Sequence, residues 1–168
     1  MDNIRILKKI VLILFAATLL WFLGDNILVI LALLFEKDVL HLGHFNSVGT
    51  PISLKILVII KFIAFCIFIY GASFLIKILL LKNLTDYFNN KTFLYLFKAG
   101  KLIIVANFIA FVLSFSIFFI SSPQFYVYFN GDSRYLSLLM IIFGFFLMIF
   151  SKVLMEAKEL KQENDLTI

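Results

Sequence analysis

Two ionisable residues interrupt long apolar runs: Asp25 in "FLGDNILV" and Lys61 in "VIIKFIAF". A carboxylate and an ammonium in such surroundings are expensive unless they meet each other or water. Their chemistry is therefore either a charge-pair clamp or a relay for a proton, an ion or a ligand counter-charge. Asp25 lies about ten residues from the end of its run, and Lys61 about eight residues into the next. In antiparallel neighbouring helices those depths nearly coincide. A clamp, helped by Asn26 and a snorkelling lysine, is the simpler reading, because a transport path ordinarily carries more than one such pair. His41 and His44 in "HLGH" are the other candidates. On a helix that spacing puts both on one side. Two imidazoles begin a metal site, but a closed one takes three or four ligands, and only Glu36 and Asp38 are near enough to complete it. A solvated histidine pair requires nothing further.

The remaining chemistry is sparse. No phosphate-cradling glycine loop, nucleophile elbow, paired-cysteine site or HExxH-type helix occurs. The single cysteine, Cys66, excludes an intrachain disulfide, and its apolar setting reads as an inert buried thiol. No cofactor is implied, and an enzyme ranks behind a binding protein and a transporter.

What positions these residues is a set of greasy helices. Hydrophobic residues fill 63% of 168 positions and mean hydropathy is +1.08, more than a soluble chain of this size can hide. A span needs about 20 apolar residues. Four stretches meet that length: about 10–35, 53–81, 102–122 and 136–155. The first competes with a cleaved signal peptide, but no small-residue cleavage site precedes a polar region, and apolar sequence resumes at Ile27. A retained helix is expected.

Charge orients the helices. With the N-terminus inside, the inner side holds eleven of the 15 Lys and Arg residues: Arg5, Lys8, Lys9, Lys77, Lys82, Lys91, Lys98, Lys101, Lys152, Lys158 and Lys161. Only Lys37, Lys55 and Arg134 fall outside, so both termini are expected in the cytoplasm. The basic residues then ring the inner headgroups, which removes direct nucleic-acid binding as the meaning of the +5 charge. Tyr126, Tyr128, Phe129 and Tyr135 suit an outer aromatic belt, and "QFYVYF" before "NGD" also reads as a strand and turn. Tyr87, Phe88, Phe93, Leu96 and Phe97 read as an amphipathic segment on the inner leaflet. Asn107 reads as interhelical glue.

The ending "QENDLTI" follows an apolar helix and "MEAKELK". Helix four can continue through "SKVLMEAKELKQE", with Asn164 as its stop. "DLTI" is then a short β-capable end, whose Leu166, Ile168 and terminal carboxylate suit capture at a sheet edge. The bland alternative is a frayed polar anchor. This ending resembles the bacterial family catalogued as domain of unknown function 2975, small four-helix membrane proteins closing on an ENDLT-type tail. A second likeness is a phenylalanine twelve residues before a glycine, with Leu and Lys between: Phe88, Leu96, Lys98 and Gly100. Thr92 stands where the family carries asparagine, and Lys98 with Ala99 where it carries Lys-Ile. The likeness covers the C-terminal half well and the first two helices by pattern. It implies no reaction. It does imply a partnership with a helix-turn-helix regulator, commonly encoded beside family members.

The expected architecture is all-α: an integral membrane antiparallel four-helix bundle, one domain over 1–168, with a cytoplasmic tail over 156–168. The expected location is the bacterial inner (cytoplasmic) membrane. One functional reading is a non-enzymatic sensor or accessory protein that docks a cytosolic regulator. Its docking residues would be Phe88, Leu96, Lys98, Gly100, Glu163, Asn164, Asp165, Leu166, Thr167 and Ile168. The other is a small homo-oligomeric transporter or channel component using Asp25 and Lys61. The charge asymmetry makes a direct prediction: a topology reporter fused at Ile168 is active only in its cytoplasmic form, and one inserted near Ser47 only in its exported form. Export of the Ile168 reporter overturns the orientation.

Overall fold

The computed structural model describes residues 2–35, 52–81, 87–120 and 133–166, nearly all of them helical. The helices are α1 (Asp2–Phe35), α2 (Ile52–Leu79), α3 (Asn90–Ile120) and α4 (Ser133–Leu166). No strand occurs among the described residues, and the "QFYVYF" segment lies outside them. Among the described residues three stretches are long and apolar enough to cross a membrane: Lys55–Leu79, Asn90–Ser116 and Tyr135–Asn164. The expected first span, in α1, falls in part on side chains outside the described set.

α3 and α4 outrun the expected spans, for local reasons. α3 starts at Asn90 rather than near 102, because Asn89 caps it. The Asn89 carbonyl accepts from the backbone N–H of Thr92 at 2.9 Å, and its side-chain Oδ1 from that of Lys91 at 3.4 Å. A search for uninterrupted apolar residues stops at Lys98 and Lys101, but lysine is a good helix former. Of the stretch expected to lie on the leaflet surface, Phe93, Leu96 and Phe97 therefore belong to the first turns of α3, and Phe93 is buried rather than lipid-facing. At the other end α4 runs through Leu166, past the stop expected at Asn164. Neither Gly nor Pro follows Gly144 in α4, and its last turns are rich in Ala, Leu, Glu, Lys and Gln.

Two compact units divide the chain: Met1–Ile63 with Phe111–Arg134, and Ala64–Ala110 with Tyr135–Ile168. Among the described residues of the first, Val58, Leu113 and Ser114 are buried. The second has a fuller core, built from the C-terminal part of α2, the N-terminal part of α3, and α4. Its buried positions on α4 are Ser137, Gly144, Leu147 and Ser151, and on α3 Thr92, Phe93, Ala99, Gly100, Ile103 and Ala106. Gly144, Leu147 and Ser151 on α4, and Ala99, Ile103 and Ala106 on α3, recur at three- and four-residue spacing, so each trio lines one face.

Small residues set how closely these faces approach. A Cβ on Gly100 would lie 2.6 Å from the Gly144 carbonyl oxygen, and one on Gly144 2.9 Å from that of Gly100 and 2.6 Å from Ile104 Cγ1. On the other side, a Cβ on Gly71 would lie 2.9 Å from Leu102 Cβ and 3.4 Å from the Ala99 carbonyl oxygen. Backbone approach of this kind is how helices associate where lipid competes equally for apolar side chains. The pairings also give direction. Gly100 meets Gly144 while Phe93 meets Ser151, and Gly71 meets Ala99 while Phe74 meets Tyr95. Rising numbers pair with falling ones, so α3 runs antiparallel to both α2 and α4 within this unit.

Several polar side chains inside the helices bond to their own helix. Asn107 Nδ2 donates to the Ile103 carbonyl at 2.8 Å, so it bonds within its own helix rather than gluing two together. Thr18, Ser73, Ser114 and Ser116 likewise donate to carbonyls three or four residues back. Cys66 is exposed rather than buried.

The glycine contact yields a measurable contrast. Gly144→Leu should lower the stability of the folded protein by about 1–3 kcal/mol, the usual range for overpacking. Gly24→Ala, where an added Cβ meets nothing within 4 Å, should be neutral or slightly stabilising. Denaturant titration in detergent checks both, and an equally mild effect at Gly144 would contradict the close approach.

Candidate functional site

The helix ends nearest Asn90 bring together the two segments singled out in the sequence. Ser151 Oγ on α4 donates to the Phe93 carbonyl on α3 at 2.6 Å, and the serine is buried. Two turns further along, Lys158 Nζ donates to Asn90 Oδ1 at 2.7 Å. These two bonds clamp the start of α3 to α4 just before α4 projects onward as "ELKQENDL". On the α2 side, Lys77 Nζ sits 4.8 Å from the Phe74 ring centroid and 5.9 Å from that of Tyr95, and the two rings are 5.5 Å apart. A cation over aromatic faces adds an orientation-dependent attraction at that corner. Tyr87 donates its hydroxyl hydrogen to the Leu81 carbonyl at 3.2 Å, tying the segment before α3 to the end of α2.

The expected docking residues divide by what they touch. Gly100 is buried against α4, so its place is in the helix contact. Leu96 is half-buried, whereas Lys98 is exposed. Phe88, just before the cap, is 62% exposed, an unusual position for a large ring beside a packed helix start. On α4, Glu163 and Asn164 are exposed and helical. Asp165 and Leu166 continue the helix, with side chains outside the described set, and Thr167 and Ile168 lie outside the described residues. The tail through Leu166 is thus helix rather than an extended strand-forming end.

Sequence reasoning missed Leu160, Ser151, Asn89 and Asn90. Leu160 is 61% exposed on the projecting part of α4 and shares a face with Glu163 and Asn164. The capping signal in "FNNKT" was available in the sequence, but the Ser151–Phe93 and Lys158–Asn90 partnerships span long separations and left no local trace.

The other candidates lie elsewhere. Lys61 is half-buried on α2 and is not left without a partner. Asp25 belongs to α1, but its side chain is outside the described set; both residues fall in the first compact unit. His41 and His44 lie outside the described residues. Among the described residues no group of three or more His, Cys, Asp or Glu side chains is placed to hold a metal ion.

Comparison with known proteins bears on this region directly. The model of a family described as protein of unknown function (DUF2975) matches residues 41–168. The chain belongs to that family. The matched residues include α2, α3 and α4 whole, so the likeness carried by the C-terminal half extends through the second helix, while α1 falls outside the match. No curated protein and no solved structure is detectably similar to the chain.

The charge pair has a clean genetic test. Asp25→Ala and Lys61→Ala should each lower folded yield, and the double change should be milder than the sum, because each single change strands a charge. Strictly additive losses mean that the two residues do not meet.

Proposed function

We propose that this chain is a non-enzymatic protein of the bacterial inner membrane, with both termini cytoplasmic, that docks a cytosolic regulator of the helix-turn-helix type. The observation that carries the reading is the clamp between Asn90 and Lys158. It holds the exposed Phe88 and the exposed Leu160 at the same end of one compact unit, where a bilayer placed by the basic residues no longer covers them. Exposed aromatic and aliphatic residues rimmed by charge are the usual anchors of a protein interface. The helical state of α4 through Leu166 favours a partner groove that receives a helix face, led by Leu160, Glu163 and Asn164, over addition of a strand. Lys91, Lys161 and Glu159 supply a polar rim of both signs. The family likeness supports the identity of the partner, since regulators of that type are commonly encoded beside family members.

A second reading, a small transporter or channel component, draws on the half-buried Lys61 within an apolar helix and on Asp25 in the same unit. It predicts dependence on those two residues and indifference to the α4 extension.

The docking reading is tested by co-expressing the protein with a helix-turn-helix regulator of the kind encoded beside family members and purifying it from membranes. Phe88→Ser with Leu160→Ser should reduce the regulator retained by at least about tenfold, in line with the loss of two interface anchors. Deleting Asp165–Ile168 should weaken retention as well, while membrane insertion stays intact because the apolar part of α4 ends well before. Equal retention by all forms sinks the docking reading, and failure of the intact protein to retain the regulator does the same.

A further inference from the structure

The outer face of α3 is basic at a depth where its neighbours are apolar. At three- and four-residue spacing that face carries Lys91, Leu94, Lys98, Lys101, Val105 and Phe108, all exposed. It lies opposite the packed stripe of Phe93, Gly100 and Ile103. The depth follows from the antiparallel register inside the unit. Lys77 reaches the Tyr95 ring, and Ser151, next to Lys152, bonds Phe93, so those two lysines stand level with the first turns of α3. Gly71 meets Ala99 and Leu102, and Gly144 meets Gly100, so the turn from Lys98 to Lys101 is level with the two glycines. The rise from Gly71 to Lys77 is ~9 Å, and that from Gly144 to Lys152 is ~12 Å, at 1.5 Å per residue.

Apolar residues fill that rise on both neighbours. On α4 they include Phe145, Phe146, Ile149 and Phe150, all exposed, and on α2 they include Phe74, Leu75 and Ile76. Wherever hydrocarbon covers Phe145, Phe146 and Phe150, Lys98 and Lys101 stand at the same height on the α3 side. Neither lysine makes a hydrogen bond or ion pair among the described residues. A charge in that position is retained where it meets water or an opposite charge.

We propose that the Lys98–Lys101 face is a binding site for an anionic phospholipid, whose phosphate is drawn below the general headgroup plane to meet the two ammonium groups. Helical Cα–Cβ bonds tilt toward the N-terminus, so the lysine stems can extend toward the Asn90 end and shorten the distance the phosphate must travel. Above the lysines the same face turns apolar at Val105 and Phe108, which suits acyl chains. A free anion would gain nothing from that continuation, so the chemistry is that of a whole lipid. An anionic headgroup neutralises the lysine pair, whereas a zwitterionic one brings no net charge. The site is independent of regulator docking, since neither lysine belongs to the Phe88–Leu160 patch.

The test uses the full chain purified in mild detergent, offered phosphatidylglycerol and phosphatidylcholine together, with the retained lipids counted by native mass spectrometry. Reading the ratio of the two lipids within each sample keeps the result independent of yield. The intact protein should prefer phosphatidylglycerol, and Lys98→Gln with Lys101→Gln should reduce that preference roughly 25-fold, at about fivefold per lysine near a charged surface. Lys98→Arg with Lys101→Arg should preserve it. Lys152→Gln with Lys161→Gln, which removes the same charge elsewhere, should reduce it clearly less, because those lysines do not sit below the apolar Val105 and Phe108 continuation. Equal retention of the two lipids by the intact protein overturns the site. So does an equal loss in the Lys152 and Lys161 variant, which marks diffuse surface charge. Displacement of the lipid by equimolar inorganic phosphate marks a free-anion site and overturns it too. A changed oligomeric state in the Lys98 and Lys101 variant without a lipid preference marks a second copy as the occupant and has the same consequence.

Discussion

The contact between Gly100 and Gly144 is the constraint on which the better-packed part of this protein depends. Each glycine presents its backbone to the carbonyl of the other, at distances that leave no room for a side chain. In a bilayer, apolar side chains gain little by leaving lipid for one another, so helices hold together where their backbones come close and dispersion contacts multiply. Once that pair is seated, the rest of the register follows. Ser151 comes level with Phe93, Lys158 with Asn90, and the α2 contact at Gly71 falls one face further round α3. The two hydrogen bonds are directional and keep α4 from rotating about the glycine contact. Small residues provide the approach, and the polar pairs provide the orientation.

The same arrangement explains why many large side chains point outward. Phe93 and Ile103 fill the space beside the glycine and alanine contact, and Phe108, Phe145, Phe146 and Phe150 are left on the periphery. In water that distribution would be an aggregation hazard; against hydrocarbon it is the solvated state. The chain thus departs from the usual soluble pattern, with Ala64, Ala99, Ala106 and serines inside beside Phe74 and Phe93, and many large apolar side chains outside. The neighbourhood of Asn90 is the exception. There the helices carry charge, Lys77 leans over two aromatic rings, and Phe88 and Leu160 stand exposed beyond the apolar stretch. Function is most economically sought at that end, because it is where packing is fully specified and yet large apolar groups are left uncovered.

Much of this was legible in the linear sequence. Composition alone excluded a soluble domain, because 63% hydrophobic residues exceed what 168 residues can bury, and the apolar runs located α2, α3 and α4. The tail and the Phe88-to-Gly100 pattern pointed to the family whose model matches residues 41–168. Those features are local or compositional, so no knowledge of neighbours is required to see them. The boundaries were less legible. A hydropathy window reports where lipid is tolerated, not where hydrogen bonding stops, so it missed the Asn89 cap, the lysine-bearing first turns of α3 and the helical state of Asn164.

Sequence by itself determined the class of the protein, its helical content and the distribution of its charge, since each is a sum or a period taken along the chain. Tertiary structure alone decided which role each marked residue plays. Gly100 looked like part of a recognition motif and is a packing surface, because its partner Gly144 lies 44 positions away and nothing local announces it. Asn107 looked like a bridge between helices and bonds to its own, because a carbonyl one turn back is always within reach. Lys98 and Lys101 looked like headgroup residues. They became deep ones only through the register that two glycine contacts impose, and register is a property of pairs of helices that no single segment contains.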